Sequence, residues 1–73
     1  MKYESMFYDF CDAYGYTGTY IYNKITSEYQ IVLSRGKDNA GVFLNPGEYK
    51  DLKEDKLKDL LEMLDQGFSH KFK

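Results

Sequence analysis

Nine of the thirteen aromatic residues of this 73-residue chain lie in its first 29 positions, and seven of those nine are tyrosines. They are Tyr3, Phe7, Tyr8, Phe10, Tyr14, Tyr16, Tyr20, Tyr22 and Tyr29. A domain this short has room for only a small core, so the disposition of these rings decides most of what the chain can fold into. Some must build the core. Others are expected to face outward, because tyrosine joins a large apolar ring to a hydroxyl that needs a partner when buried. The distribution predicts a small binding module with an aromatic contact surface.

Ring spacing divides the first half into two elements. Over residues 3–14, Tyr3, Met6, Phe7, Phe10, Cys11, Ala13 and Tyr14 recur mostly at i, i+3, i+4 and i+7, which predicts an amphipathic helix. Glu4, Ser5, Asp9 and Asp12 fall on its other side, and Gly15 is a natural stop. Over residues 16–34, Thr19-Tyr20-Ile21-Tyr22 and Tyr29-Gln30-Ile31-Val32-Leu33 predict a hairpin connected near Thr26-Ser27. The parity of that loop sets the faces. An even loop places Tyr20 and Tyr22 with Tyr29, Ile31 and Leu33; an odd loop turns Tyr20 and Tyr22 away. The even register separates polar from apolar residues better and is preferred. Residues 35–41, Arg-Gly-Lys-Asp-Asn-Ala-Gly, have the composition of a turn, and Val42-Phe43-Leu44 of a third strand.

Asn45-Pro46-Gly47-Glu48 then has every mark of a helix start: an N-cap, a proline at N1 and a glutamate at N3. A short helix over 46–52 is expected, followed by a kink, because Lys53 and Lys56 interrupt the apolar phase. A main helix over 54–66 follows, with Leu57, Leu60, Leu61 and Leu64 as its stripe and Glu54 and Lys58 paired on its exposed side. Gly67 is expected to stop it, with Phe68 making the accompanying apolar contact. The result is one α+β domain, residues 1–73, in the order α-β-β-β-α. It would have a three-stranded antiparallel sheet and helices mainly on one face. The other face would keep apolar residues, which suggests a partner or a second copy.

Composition limits the function classes. The net charge is −2, and Arg35 is the single arginine, a poor balance for a duplex-DNA binder. One cysteine cannot form an internal disulfide, and with one histidine no Cys/His zinc set can be assembled, so no metal or cofactor is expected. A lone thiol, the lack of a membrane-length apolar run and an N-terminus without a signal-peptide core lead to a cytoplasmic expectation. The initial Met suggests a complete small gene product. Cys11 lies on the apolar stripe of the first helix, as a packed hydrophobe does, and no base accompanies it. His70 reads as a solvated tail residue. No carboxylate pair stands out as an acid/base couple, so no enzyme is expected.

Two contact surfaces remain. The first is acidic and tyrosine-rich: Tyr8, Asp9, Asp12, Tyr16, Tyr20 and Tyr22. It would bind a larger protein, as inhibitors and regulators of phages and mobile elements do, while ordinary core packing and a solvated acidic face are the competing accounts of the same residues. The second is a basic hairpin tip of Arg35 and Lys37, with Lys24 as a further candidate, which beside sheet aromatics would hold single-stranded nucleic acid. Gly41-Val42-Phe43-Leu44-Asn45-Pro46, followed by Glu48, Tyr49, Leu52 and Lys53, resembles the last strand and helix start of the transcriptional positive-cofactor family. That resemblance implies a dimer that binds single-stranded DNA on a curved sheet. It covers residues 41–53 only, and the helix before the sheet, the three strands rather than four and the scarce basic residues depart from the family. A homodimer closed through the open sheet face is compatible with either surface.

Overall fold

The computed structural model describes the backbone of residues 1–71 and the side chains of residues 1–68. The elements run α1 (Glu4–Tyr14), β1 (Thr17–Asn23), β2 (Glu28–Arg35), β3 (Asp38–Leu44), α2 (Pro46–Lys50) and α3 (Glu54–Lys71). The strands form one antiparallel sheet in the order β1-β2-β3, with helices before and after it. This is the expected α-β-β-β-α arrangement.

The hairpin has the even register. Tyr20 pairs with Ile31 and Tyr22 with Tyr29, so these four side chains share the helix-covered face with Leu33. The loop is the four residues 24–27, closed by the Asn23 carboxamide oxygen, which accepts from the Ile25 and Thr26 amides at 2.9 and 3.3 Å. Because β1 places Tyr20 inward, it places Thr19 and Ile21 outward; one choice of parity decides the whole sheet.

The third strand is longer than expected. Residues 38–41 belong to β3, and the turn is only Gly36-Lys37, with Arg35 opposite Asp38. Gly36 has φ 63°, the conformation a two-residue hairpin asks of its first central residue. Asp-Asn-Ala-Gly looks like a turn by composition, but it continues the period-two alternation: Asp38, Ala40, Val42 and Leu44 point inward, while Asn39, Gly41 and Phe43 point outward. Pairing with a strong central strand overrides weak local propensity here.

The second cap is as expected. The Asn45 side chain accepts from the Glu48 amide at 2.8 Å, and Glu48 accepts from the Asn45 amide at 3.0 Å. The chain then bends through residues 51–53 before α3. The main helix does not stop at Gly67; it runs on to Lys71. Phe68 continues the stripe of Leu57, Leu61 and Leu64 at i+11, i+7 and i+4 and is buried. A glycine inside a helix costs about 1 kcal/mol, less than the burial of a phenylalanine returns.

The core lies between the sheet and the helices. Phe7 and Cys11 of α1, Tyr20, Ile31, Leu33 and Leu44 of the sheet, Leu52, and Leu57, Leu61, Leu64 and Phe68 of α3 are all buried, together with Tyr16. Gly18 lets α1 approach β1: a Cβ there would lie 2.6 Å from Cys11 Sγ and from two ring atoms of Phe7. Among the described residues, no buried side-chain polar atom lacks a hydrogen-bond partner.

Candidate protein-binding surface

Rings gather at both ends of the sheet, and Phe7 of α1 stacks on Tyr20 of β1 at 5.0 Å. At the loop end, Tyr29 stacks on Tyr49 at 3.7 Å between centroids, and Tyr22 tilts against Tyr29 at 4.6 Å. Lys2 ties this end to α1. Its ammonium donates to the Tyr49 and Lys50 carbonyls at 3.2 and 2.7 Å, complementing the C-terminus of α2. The Lys2 amide donates to the Tyr49 hydroxyl, and the Lys2 carbonyl accepts from Tyr20 Oη at 2.6 Å.

At the turn end, Phe10 stacks on Tyr14 and lies parallel to Tyr16, which meets Phe68 at 5.0 Å. Tyr16 Oη donates to Asp65 at 2.6 Å. The Arg35 guanidinium sits 4.1 Å from the centre of the Tyr16 ring and donates to the Tyr14 carbonyl at the end of α1. Burial, then the hydrogen bond to Asp65 and its charge, push the Tyr16 hydroxyl up to about 12, with Arg35 opposing. Tyr20 is also raised, first by burial and then by neighbouring Tyr49 and Glu4.

This geometry corrects part of the expected contact surface. Tyr20 is 1% exposed and Tyr16 6% exposed, so both are core residues with satisfied hydroxyls and neither offers a contact. Tyr22 is 40% exposed, but it belongs to the Tyr29–Tyr49 row and not to α1. What remains together is the outer side of α1. Tyr8 is 42% exposed, with its ring edge-on to Phe7 at 5.0 Å, and Asp9 and Asp12 are exposed beside it. Exposed Glu4 completes the set, since Glu4, Tyr8 and Asp12 are four residues apart and share a stripe. No lysine or arginine occurs between Glu4 and Tyr14.

Lys24 does not join the basic hairpin tip: it lies in the β1–β2 loop, whereas Arg35 and Lys37 lie together at the β2–β3 turn, at the other end of β2 and about 23 Å away at the rise of an extended strand. Arg35 is engaged with Tyr16 and Tyr14. Of the sheet positions facing away from the helices, among the described residues, one is aromatic (Phe43) and none is basic.

Cys11 is buried, and burial, followed by the charge of Asp12, raises its thiol pKa, the opposite of what a nucleophile needs. Among the described residues, no group of three or more His, Cys, Asp or Glu side chains is placed to hold a metal ion, and no helix is long and apolar enough to cross a membrane. His70 lies outside the residues whose side chains are described.

Sequence reasoning missed two features. One is an open groove of about 610 Å³ with Leu44, Leu52 and Leu60 among its lining residues, rimmed by Glu48, Asp51, Lys53 and Lys56. Its signal was present in part: Leu52 precedes α3 and does not continue the leucine stripe in phase. The other is the exposure of Phe43, at 56%, which follows from extending β3 back to Asp38. No protein-family model, curated protein or solved structure matches the chain.

Proposed function

We propose that this chain is a non-enzymatic interaction protein that docks the outer side of α1 onto a basic surface of a larger protein. It would act as an inhibitor or regulator of the kind phages and mobile elements encode. The observation that carries this reading is the composition of the α1 exterior: three exposed carboxylates, no cation, and Tyr8 among them with its ring oriented by Phe7. Carboxylates of one sign steer a cationic partner and select against acidic ones. A tyrosine held by a neighbouring ring gives apolar contact area at little cost in side-chain freedom. The helix is anchored on three sides, by the Lys2 contacts, by close packing on Gly18 and by Arg35 at its C-terminus, so it presents these groups from a rigid support.

The test is affinity capture from extract of the source organism, at low and at high salt, comparing the wild-type protein with Tyr8→Ala and with the Asp9→Asn/Asp12→Asn pair. All three positions are exposed, so circular dichroism should show unchanged folding. A protein retained by the wild type, released by salt and lost with the variants is the expected result. A captured set that is the same for all three proteins rules out α1 as the docking element. Binding of a labelled single-stranded oligonucleotide at low salt, insensitive to these substitutions, would turn the reading toward nucleic acid.

A further inference from the structure

The last strand, β3, is an edge of the sheet. A two-residue turn makes the flanking Arg35–Asp38 pair a hydrogen-bonded one, and bonded and non-bonded pairs alternate along an antiparallel ladder. Ala40, Val42 and Leu44 therefore bond to β2, while the backbone N–H and C=O groups of Asn39, Gly41 and Phe43 point away from it. Among the described residues, none of these outward groups has a hydrogen-bond partner. Natural edges are blunted by lysine, proline or a bulge. From Asn39 to Leu44 β3 has none of these, and its register is unbroken.

A cleft lies beside this edge, between β3 and α3. Leu44 of β3 with Lys56 and Leu60 of α3 line a cavity of about 610 Å³ at one end, and Asn39 and Ala40 of β3 with Gly67 and Phe68 of α3 line one of about 190 Å³ at the other. Among the described residues, none from α1 lines either cavity, so both lie on the side of α3 away from α1. Ala40 and Leu44 face the helix layer from positions four residues apart, about 13 Å at the rise of a strand. Leu60, Met63 and Gly67 share one side of α3, at i, i+3 and i+7, and Met63 is 51% exposed. Ala40 and Val42 are only half-buried although they face the helices. The fold thus leaves β3 and this side of α3 partly uncovered.

Gly67 is a second, independent observation. It lies inside α3, its φ is not in the left-handed region, and a Cβ there would meet nothing within 4 Å. Nothing in the packing requires a glycine, and one costs about 1 kcal/mol against alanine. What it leaves is open space opposite Ala40.

We propose that β3 is a docking edge for an extended segment of another protein. The segment adds as a fourth strand and seats two apolar side chains four residues apart, one against Leu44 and Leu60, the other between Ala40 and Gly67. The unpaired backbone groups select an extended chain over a helix or an apolar small molecule, because a strand presents donors and acceptors at the matching spacing, and pockets for alternate side chains give it a sequence preference. The rim of the larger cavity carries Lys53 and Lys56 with Glu48, Asp51 and Asp55, so the matching strand has flanking charges of both signs. This site is separate from the exterior of α1 and does not depend on it.

The experiment titrates the full chain with a labelled, end-blocked peptide, Glu-Thr-Leu-Thr-Val-Thr-Leu-Thr-Lys, and reads fluorescence anisotropy and amide hydrogen exchange. In the free protein the Asn39, Gly41 and Phe43 amides should exchange faster than those of Ala40, Val42 and Leu44. The peptide should slow the first set and leave the amides of β1 unchanged. N-methylation of one alternate set of peptide amides should abolish binding and methylation of the other set should spare it, since one edge of the peptide meets β3. Gly67→Gln should weaken binding by about tenfold or more, the contribution of one buried leucine side chain, with an unchanged circular-dichroism spectrum. Absence of binding at millimolar peptide overturns the proposal, as does binding that both methylated peptides retain, that protects β1 in place of β3, or that Gly67→Gln leaves unchanged. A wild-type chain that sediments as a dimer with the Asn39, Gly41 and Phe43 amides already protected also overturns it, because the edge would then belong to a second copy.

Discussion

Replacing Gly18 with alanine tests the closest packing in the molecule. Gly18 faces α1 from β1, and its φ is not in the left-handed region, so the backbone itself tolerates alanine. The obstacle is space. The new Cβ would lie 2.6 Å from Cys11 Sγ, Phe7 Cε2 and Phe7 Cζ, against an optimum of about 3.5–4.0 Å for such pairs. Phe7 is 0% and Cys11 3% exposed, so neither has room to retreat. Relief requires α1 to lift by about 1 Å, and a gap of that size forfeits up to about half of the dispersion energy of each affected contact. Overpacking of this kind costs about 1–3 kcal/mol. Three simultaneous overlaps with buried side chains place this case near the upper end. Alanine recovers about 0.4–1 kcal/mol by restricting the unfolded chain.

The net expectation is a loss of about 2 kcal/mol, equivalent to a fall in Tm of about 8–16 °C for a domain of this size. Urea unfolding followed by circular dichroism reads it as a midpoint lower by about 1–2 M at an unchanged slope. A double-mutant cycle with Cys11→Ala sharpens the test. Removing the sulfur eliminates one of the three overlaps, so the double variant should lose less than the sum of the singles by about 0.5–1 kcal/mol. A Gly18→Ala protein within 0.5 kcal/mol of wild type, or strictly additive losses, would mean that α1 does not rest on β1 at this point.

Gly67→Ala should act in the opposite direction. The site is exposed, lies inside α3 and has nothing within 4 Å of a new Cβ, so thermal unfolding should report a gain of about 0.5–1 kcal/mol; a loss would indicate that the helix ends there in a left-handed cap. Stability should also fall as pH rises from about 10, the ordinary tyrosine value, through about 12, because folded Tyr16 keeps its proton over that window while the unfolded chain has lost its own. Tyr16→Phe should flatten this alkaline decline in pH-dependent urea titrations without abolishing it, since Tyr20 is raised for the same reason, and should cost about 1 kcal/mol at neutral pH through the lost bond to Asp65. An unchanged alkaline slope would show that the Tyr16 proton is not held by the fold.

Local chemistry was legible wherever a residue's role depended on its near neighbours in sequence. The Asn45–Glu48 capping box, the Gly15 stop and the leucine stripe of α3 were all of this kind. The even register was legible because it leaves Asn23 and Gln30 together on the outer side, whereas an odd loop would have turned Tyr20 and Tyr22 to the side of Gln30. Two failures share one cause. Residues 38–41 and Gly67 carry weak or contrary local preferences, and each is overruled by a partner distant in sequence: β2 for the strand, Tyr16 for the helix turn that holds Phe68. The candidate surface divided along the same line. That Asp9 and Asp12 face outward follows from helix period alone. That Tyr16 and Tyr20 face inward depends on Asp65 and the Lys2 carbonyl, acceptors 49 and 18 residues away, which satisfy their hydroxyls. A buried tyrosine and a contact tyrosine look alike in sequence until the acceptor is found.

Salt separates contacts made by the two sides of the fold. Docking through α1 rests on Glu4, Asp9 and Asp12, all exposed, whose attraction for a basic surface is screened beyond about 8 Å at physiological ionic strength. The side of the sheet that faces away from the core carries Ile21, Val32 and Phe43, with Glu28 its one ionisable strand position, and an apolar contact is not weakened by salt. A partner that salt releases is therefore one held by the helix, whose own contact, one tyrosine and three carboxylates, is small and expected to be transient.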